Sequence, residues 1–381
     1  MKHQNIYWED LSIHVALNRF SPPNGAEELH AIIQLNNPYL AVETQFRNME
    51  EALNRLKQDD SLDNVNLVLK RYFVSDAVNQ SEFINQKNEN EAVSIVQQPP
   101  LNGTKVVVWA YFVSDSNIYR DNFDTLILER PHFKHLYNTQ LQKAIKDEYA
   151  ETEYIFNKYL KALNLQNCTL KDNCIRTWIY VQGVDIHYAE MVKARIDCFN
   201  KEGLTKESHY IASTGIEGKH IDPKSLVLID AYAINGISQE QINYLHAPSH
   251  LNPTHEYGVT FERGTSVDYG DRRHIFISGT ASIDNKGKIV HLFDIKKQTE
   301  RTIENISALL AEADATISDI AYMIVYLRDT ADYNIVSDYL NKHHPKIPKV
   351  IVLAPVCRPG WLVEIECIAM KEIETARFER F

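Results

Sequence analysis

The chain contains no apolar run approaching the ~20 residues that a membrane-crossing helix needs. Its first residues, MKHQNIYWEDLS, lack the apolar stretch of a signal peptide, so a cytoplasmic setting is the expectation. Cysteine is scarce, with five in 381 residues and no close pair. That usage suits reduced thiols rather than a disulfide framework. Cys168 and Cys174 have neither a companion pair nor nearby histidine ligands, and the 15 histidines are scattered without ligand spacing. Neither a metal site nor a cofactor is expected. Positive charge is also in deficit: 51 acidic against 40 basic residues give a net charge of -11. Such a balance argues against nucleic acid or an anionic membrane as partner. Any anionic ligand must then be met by a local cluster of Arg or Lys. No Ser-His-Asp or Cys-His arrangement emerges, and SGTAS (Ser278 to Ser282) is no phosphate loop, because no Lys follows and the glycine spacing is wrong.

What the chain does have is 44% hydrophobic residues, enough for a large core in two or three domains. Its periodicity repeats. The clearest copy is the last: QTERTIENISALLAEAD has the spacing of an amphipathic helix, and ISDIAYMIVYLRD reads as a buried strand. TADYNIVSDYLNKHH follows as a second helix with Thr330 as N-cap, then KVIVLAPV and GWLVEIECIAM as strands. The middle of the chain repeats this order as ETEYIFNKYLKALN, NCIRTWIYV, DIHYAEMVKARIDCFNKEG, HYIASTG and SLVLIDAYAI. A fainter first copy runs TQFRNMEEALNRLKQ, NLVLKRYFVSD, NQSEFINQKN, AVSIVQQ and KVVVWAYFV. Strands ahead of each first helix, such as HIFISGTASI, would complete an α+β layer of sheet and helices. The expected units are 1–115, 116–240 and 241–381.

Aligning the copies isolates the charges that are not shared. The last strand reads VEIECIA, VLIDAYA and VVVWAYF, so Glu366 matches Asp230 and Trp109, while Glu364 matches Leu228 and Val107. An acid at 364 occurs in one copy only. Arg176, in RTWIYV, stands where the other copies place Leu69 and Tyr322. A buried Arg is rare unless paired, so Arg176 is either a structural ion pair or part of an asymmetric site at a junction between copies.

At these residues the chain resembles known families. HIFISGTASID, the helix after it and VLAPV…WLVEIECIA are similar to the RidA (YjgF/YER057c/UK114) family over roughly residues 270 to 371. The resemblance implies a chorismate-mutase-like fold, usually assembled as a trimer with ligand sites between subunits. The basic residue which that family uses on a ligand carboxylate falls near Lys349, a Lys in place of the usual Arg. Three such copies in one chain would form a pseudo-trimer, and hence a monomer or at most a weak dimer. A narrower resemblance covers most of the chain: RTWIYV, ASTGIEG, FERGT, ISGTAS and VCRPGWLVEIE, in this order, are similar to the chorismatases, which split pyruvate from chorismate. It maps the catalytic acid of that group onto Glu364. Cys357, seven residues earlier, marks the branch similar to the hydroxybenzoate-forming enzymes, with 3-hydroxybenzoate favoured over the 4-isomer or a dihydrodiol. Some chorismatases continue GTAS with a Gly-His pair, where this chain has IDNKGK. A RidA-like imine or enamine deaminase and a non-catalytic metabolite-binding protein of the same fold are the alternatives.

Chorismate carries two carboxylates, which call for Arg forks. Arg176, Arg263 and Arg358 are the expected cradle, with Lys349, Arg272 and Arg273 in reserve. Tyr210 and Thr214 are possible donors to a hydroxyl or carboxylate. Gly279 and Thr280, within SGTAS, are small enough for close backbone approach to a ligand. Cleaving the enol ether needs a carboxylic acid that stays protonated near neutral pH. Burial and a neighbouring carboxylate both raise a carboxyl pKa, and Glu364 and Glu366, two apart on a strand, lie roughly 7 Å apart on one face. Cys357, otherwise a small buried hydrophobe, could occupy the place of the attacking water or ring hydroxyl and so bias the product.

Overall fold

A computed structural model describes residues 1–58, 65–84 and 90–381. Three six-stranded sheets follow one another along the chain, each built to the same plan. The first comprises β1 (Lys2–Trp8), β2 (Ile13–Phe20), β3 (Glu28–Leu35), β4 (Val65–Val74), β5 (Ala92–Gln97) and β6 (Val106–Ser114), with α1 (Val42–Lys57) and the single turn α2 (Ala77–Gln80). The second has β7 (Asn117–Arg120), β8 (Leu126–Glu129), β9 (Lys134–Gln142), β10 (Cys174–Val181), β11 (Ala212–Glu217) and β12 (Val227–Asn235), with α3 (Glu148–Leu165), α4 (Leu170–Asn173) and α5 (Val184–Lys201). The third has β13 (Ile242–Leu245), β14 (Gly264–Asp268), β15 (Arg272–Ala281), β16 (Ile320–Leu327), β17 (Lys349–Leu353) and β18 (Val363–Glu372), with α6 (Ile295–Glu312) and α7 (Tyr333–His343). Numbering strands from one to six within a unit, the spatial order is 1-2-3-6-4-5 each time, with strands 4 and 5 parallel and all other neighbours antiparallel. This is the expected α+β architecture of three units.

The register confirms the alignment of the copies. Arg176 pairs with Tyr232, Leu69 with Tyr111 and Tyr322 with Ile368, so these positions are structurally equivalent. The units close into a ring. Short bridges join Gln97 to Lys219, Pro100 to Val352, and both Ala212 to Glu262 and Ile216 to Val356, so every pair of units is linked. The chain is therefore a pseudo-trimer. Where the third strands of the units meet, the equivalent positions are Glu28, His135 and His274, all buried. Glu28 takes the guanidinium of Arg272 at 2.6 Å, the His274 ring at 2.7 Å and the Tyr111 hydroxyl at 2.5 Å. Burial would raise the Glu28 pKa, but His274 and Arg272 outweigh it and hold the carboxylate well below its ordinary range.

Two local expectations are corrected. Thr330 is not an N-cap: Asp329 accepts from the Ala331 N–H at 2.9 Å, and a 3-10 turn, Thr330–Asp332, precedes α7. The acid accepts more strongly than a hydroxyl and takes the role one residue earlier. The helix expected over NQSEFINQKN is only α2 and a 3-10 turn, Ser81–Phe83, and its last residues, 85–88, lie outside the described residues. With Ala77, Gln80 and Ile84 its inward-facing residues, the segment has too narrow an apolar face to sustain a longer helix. The strands expected ahead of each first helix are present, three in each unit, and HIFISGTASI begins within β15.

Candidate functional site

Each junction sets the fourth strand of one unit against the sixth strand of the next. At the first, the buried Arg71 donates to Asp230 at 3.0 Å, and Asp230 also accepts from the Gln140 N–H at 2.9 Å. At the third, Trp109 and Tyr322 stack with ring centroids 4.3 Å apart. Both are filled. The second junction differs because β18 contributes two acids. Glu366 is consumed as its counterpart Asp230 is: Arg176 donates to it at 2.8 Å and the Trp178 indole at 2.7 Å. Glu364 lies two residues on, beside Ala281 and Tyr326 in the ladder, and no hydrogen bond from a described residue reaches its carboxyl group.

Local backbone makes the room for it. The ladder between β15 and β18 slips by one residue between Ile277 and Thr280, a bulge that turns Gly279 towards the neighbouring unit. There its N–H donates to the Thr214 hydroxyl at 2.9 Å. A Cβ on Gly279 would lie 2.1 Å from Glu364 Oε1, so only glycine leaves the carboxyl its place. Gly215 does the same for Tyr188, whose ring carbon Cε2 would be 2.9 Å from a Cβ there.

The result is an inner cavity of about 40 Å³ with Glu364 in its wall. Burial first, and the Glu366 carboxylate second, push the Glu364 pKa up to about 8, against the pull of Arg176 and Arg263. Glu364 is thus an acid carrying its proton at neutral pH. Burial, with Glu364 adding to it, pushes the Cys357 thiol up to about 12, so it is a thiol and no nucleophilic thiolate.

Of the residues singled out in the sequence, Glu364, Cys357, Arg263, Arg358, Thr214 and Gly279 line this cavity. The others do not. Arg176 lies behind it, committed to Glu366, to Thr214 Oγ1 at 2.5 Å and to Ser278 Oγ at 3.4 Å. Thr280 turns its hydroxyl back to the Ser278 carbonyl. Tyr210 lines a separate outer cavity. Lys349 lines a third, between units three and one, where burial lowers its pKa to about 8 and its ammonium donates to the carbonyls of His344 and Ile347. Arg272 holds Glu28 and Asp271, and Arg273 holds Asp268 and Asp314, so neither reserve reaches the site.

The sequence reading missed Tyr188 and Arg195, both of which line the cavity from α5. They are seven residues apart, two turns on one face of the helix. Arg195 is buried, and a buried Arg inside a helix pattern was the available signal. α5 itself is fixed by Glu217 at the end of β11, whose carboxylate accepts from the Gly183 and Val184 N–H groups at 3.0 and 2.7 Å. The cavity thus gathers three guanidinium groups, one protonated acid, a thiol and the Trp361 ring. Among the described residues, no group of His, Cys, Asp and Glu is arranged to hold a metal ion, and no helix is long and apolar enough to cross a membrane.

Comparison with known proteins agrees with the three-unit fold. The family model described as endoribonuclease L-PSP matches residues 266–371, within the third unit. A RutC family protein of Pyrococcus abyssi is 37% identical over 102 residues, which are 26% of this chain and 79% of that protein. The chain belongs to this RidA/RutC (endoribonuclease L-PSP) family. The 3-aminoacrylate deaminase RutC of Acinetobacter baylyi is 27% identical over 97 residues, 25% of this chain and 77% of that protein. Over the whole fold, the crystal structure of a chorismatase superposes with a TM-score of 0.63 at 16% identity, covering 82% of this chain and 95% of the other.

Proposed function

We propose that the inner cavity cleaves chorismate into pyruvate and a hydroxybenzoate, the 3-isomer in preference, by acid catalysis at the enol ether. The observation that carries this reading is Glu364: a buried carboxyl group that is still protonated at neutral pH, facing a cavity walled by Arg195, Arg263 and Arg358. Guanidinium groups suit the two substrate carboxylates. Their positive charge also favours keeping the substrate as a dianion while the one neutral acid protonates carbon.

Glu364 delivers its proton to the terminal methylene carbon, which becomes the methyl group of pyruvate. The π pair of the double bond forms the new C–H bond, which leaves the ether-bearing carbon cationic, and a lone pair of the ether oxygen stabilises it as an oxocarbenium ion. Attack by water, or by a ring hydroxyl, and rupture of the carbon–oxygen bond then release pyruvate. On the water route the ring then loses that water again, as a ring proton and a hydroxyl group; on the ring-hydroxyl route the attacking oxygen leaves with pyruvate and loss of one ring proton makes the ring aromatic, so either way the hydroxybenzoate outcome consumes no net water. Cys357, a neutral thiol beside Glu364 and Tyr188, narrows the space in which a free water would stand. This supports the aromatic product over the dihydrodiol. Likeness to a chorismatase across the fold supports the same reading.

A second reading, hydrolysis of an imino or enamino acid, is favoured by the identity shared with the deaminase RutC over the third unit. Incubation with chorismate separates the two. Release of pyruvate together with an ultraviolet-absorbing aromatic is expected, whereas pyruvate no faster than the uncatalysed background sinks the chorismate reading. Glu364→Gln keeps volume and polarity but removes the transferable proton. Turnover should fall by ~10²–10⁴ with substrate affinity largely kept.

A further inference from the structure

Beside the inner cavity lies a larger one of about 340 Å³, between the α5–β11 connection and the β13–β14 connection. Phe261 and Arg263 line both, so their two side chains form the partition. The sizes matter. At about 40 Å³ the inner cavity falls below the range of small-molecule pockets, roughly 300–1,000 Å³, whereas the outer one, at about 340 Å³, lies within it. The inner site as it stands is closed around the acid.

The outer cavity is furnished for an anion. Lys206 and His255 stand exposed on its rim, Arg263 at its floor. His209 gives Nδ1–H to the Tyr210 carbonyl at 2.8 Å and stacks on Tyr244, which leaves its buried Nε2 without a partner among the described residues. The cavity's carboxylate, Glu262, is already engaged by the Tyr210 N–H at 2.7 Å and faces His246 at 3.6 Å. Local bonds tie the partition to one wall. Arg263 donates to the Asn252 carbonyl and side-chain oxygen at 3.0 and 3.1 Å, and its guanidinium lies 5.4 Å from the Phe261 ring. Ahead of Phe261, the 3-10 turn Thr254–Tyr257 ends at Gly258, which has φ +82° and open space around it.

We propose that the outer cavity is a loading chamber: a hydroxylated ring carboxylate docks there, its carboxylate on Lys206 and Arg263 and its hydroxyl donating to His209 Nε2, and passes inward when the Phe261–Arg263 partition shifts. This rests on the reading of the inner cavity as a ring-carboxylate site, and it assigns the outer cavity a binding role of its own. The docking step is electrostatic, so it governs how fast a ligand arrives, while the partition governs passage in both directions.

Stopped-flow tryptophan fluorescence with 3-hydroxybenzoate as probe tests it, Trp361 reporting from the inner wall. The double variant Lys206→Glu/His255→Glu, altered only at exposed positions, should associate about tenfold more slowly than wild type at low ionic strength and converge with it at high salt. Phe261→Ala should raise association and dissociation rates together, several-fold, with little change in their ratio. Wild-type association rates in the charge variant at low salt, or unchanged rates in Phe261→Ala, would overturn the loading chamber and leave the proposed function standing. A wild type that binds neither 3-hydroxybenzoate nor chorismate overturns both.

Discussion

Glu364 and Glu366 occupy one face of one strand and do opposite things, and the difference lies in their partners. Glu366 has Arg176 and Trp178, so its charge is met. Glu364 has no such donors among the described residues and feels the charge of Glu366, which helps to hold its pKa near 8. A raised carboxyl pKa means that the folded acid is competent below about 8 and is lost as pH rises through it. The alkaline limb of the rate profile should lie there. Glu366→Gln removes the repelling charge and frees Arg176 to attract, so both changes should move that limb to lower pH, as a pH–rate series would show. The apparent value belongs to the pair. Gly279 is the steric counterpart of this electrostatics. Gly279→Ala should abolish activity, because its Cβ and the Glu364 carboxyl claim the same space. The far-ultraviolet circular dichroism should stay native, since the residue sits in a bulge at a cavity wall.

The elements divide into those the sequence announces and those it hides. Strands β10, β12, β16 and β18 are legible as buried runs, and the mismatch among the three copies singles out Glu364 in the sequence itself. Register is readable because structure repeats the same demand three times, so a residue that breaks the repeat stands out. Arg176 also broke the repeat, yet its partner is Glu366 and the ligand cavity lies on the other side. One sequence position cannot say which of two nearby acids an Arg will face. Arg176→Ala should therefore leave Glu366 buried without its cation and cost about 3–5 kcal/mol of stability, read as a lowered melting temperature. The α5 pair, Tyr188 and Arg195, was illegible for a different reason. Helix periodicity tells which face is buried, but α5 is buried against its own sheet and the cavity at once. The short strands β7, β8 and β13 and the turns α2 and α4 carry too few residues for a pattern.

At the scale of the molecule, the three units are held by contacts no single unit contains. Glu28 of the first unit sits against Arg272 and His274 of the third, so its carboxylate is a bond between units rather than within one. Glu28→Gln should leave the buried Arg272 with Asp271 as its one remaining carboxylate among the described residues and destabilise the whole ring by a few kcal/mol. The sign of the linkage follows from the depressed pKa. The wild-type advantage is fully present above the ordinary carboxylate range and fades as acid protonates Glu28, so wild type and variant should converge in thermal melts at low pH.

Because the ring closes within one polypeptide, its three junctions are free to age separately. In a ring of identical chains any substitution is written three times, so a residue that served catalysis at one interface would have to be tolerated at every other. Here Arg71 with Asp230, Trp109 with Tyr322, and Arg176 with Glu366 are three different answers to one geometrical question. Two junctions have become cement, and the third could acquire an unpaired acid while its sisters carried the mechanical duty. Duplication without separation is what allows such specialisation, and the lone carboxyl at 364 is its trace.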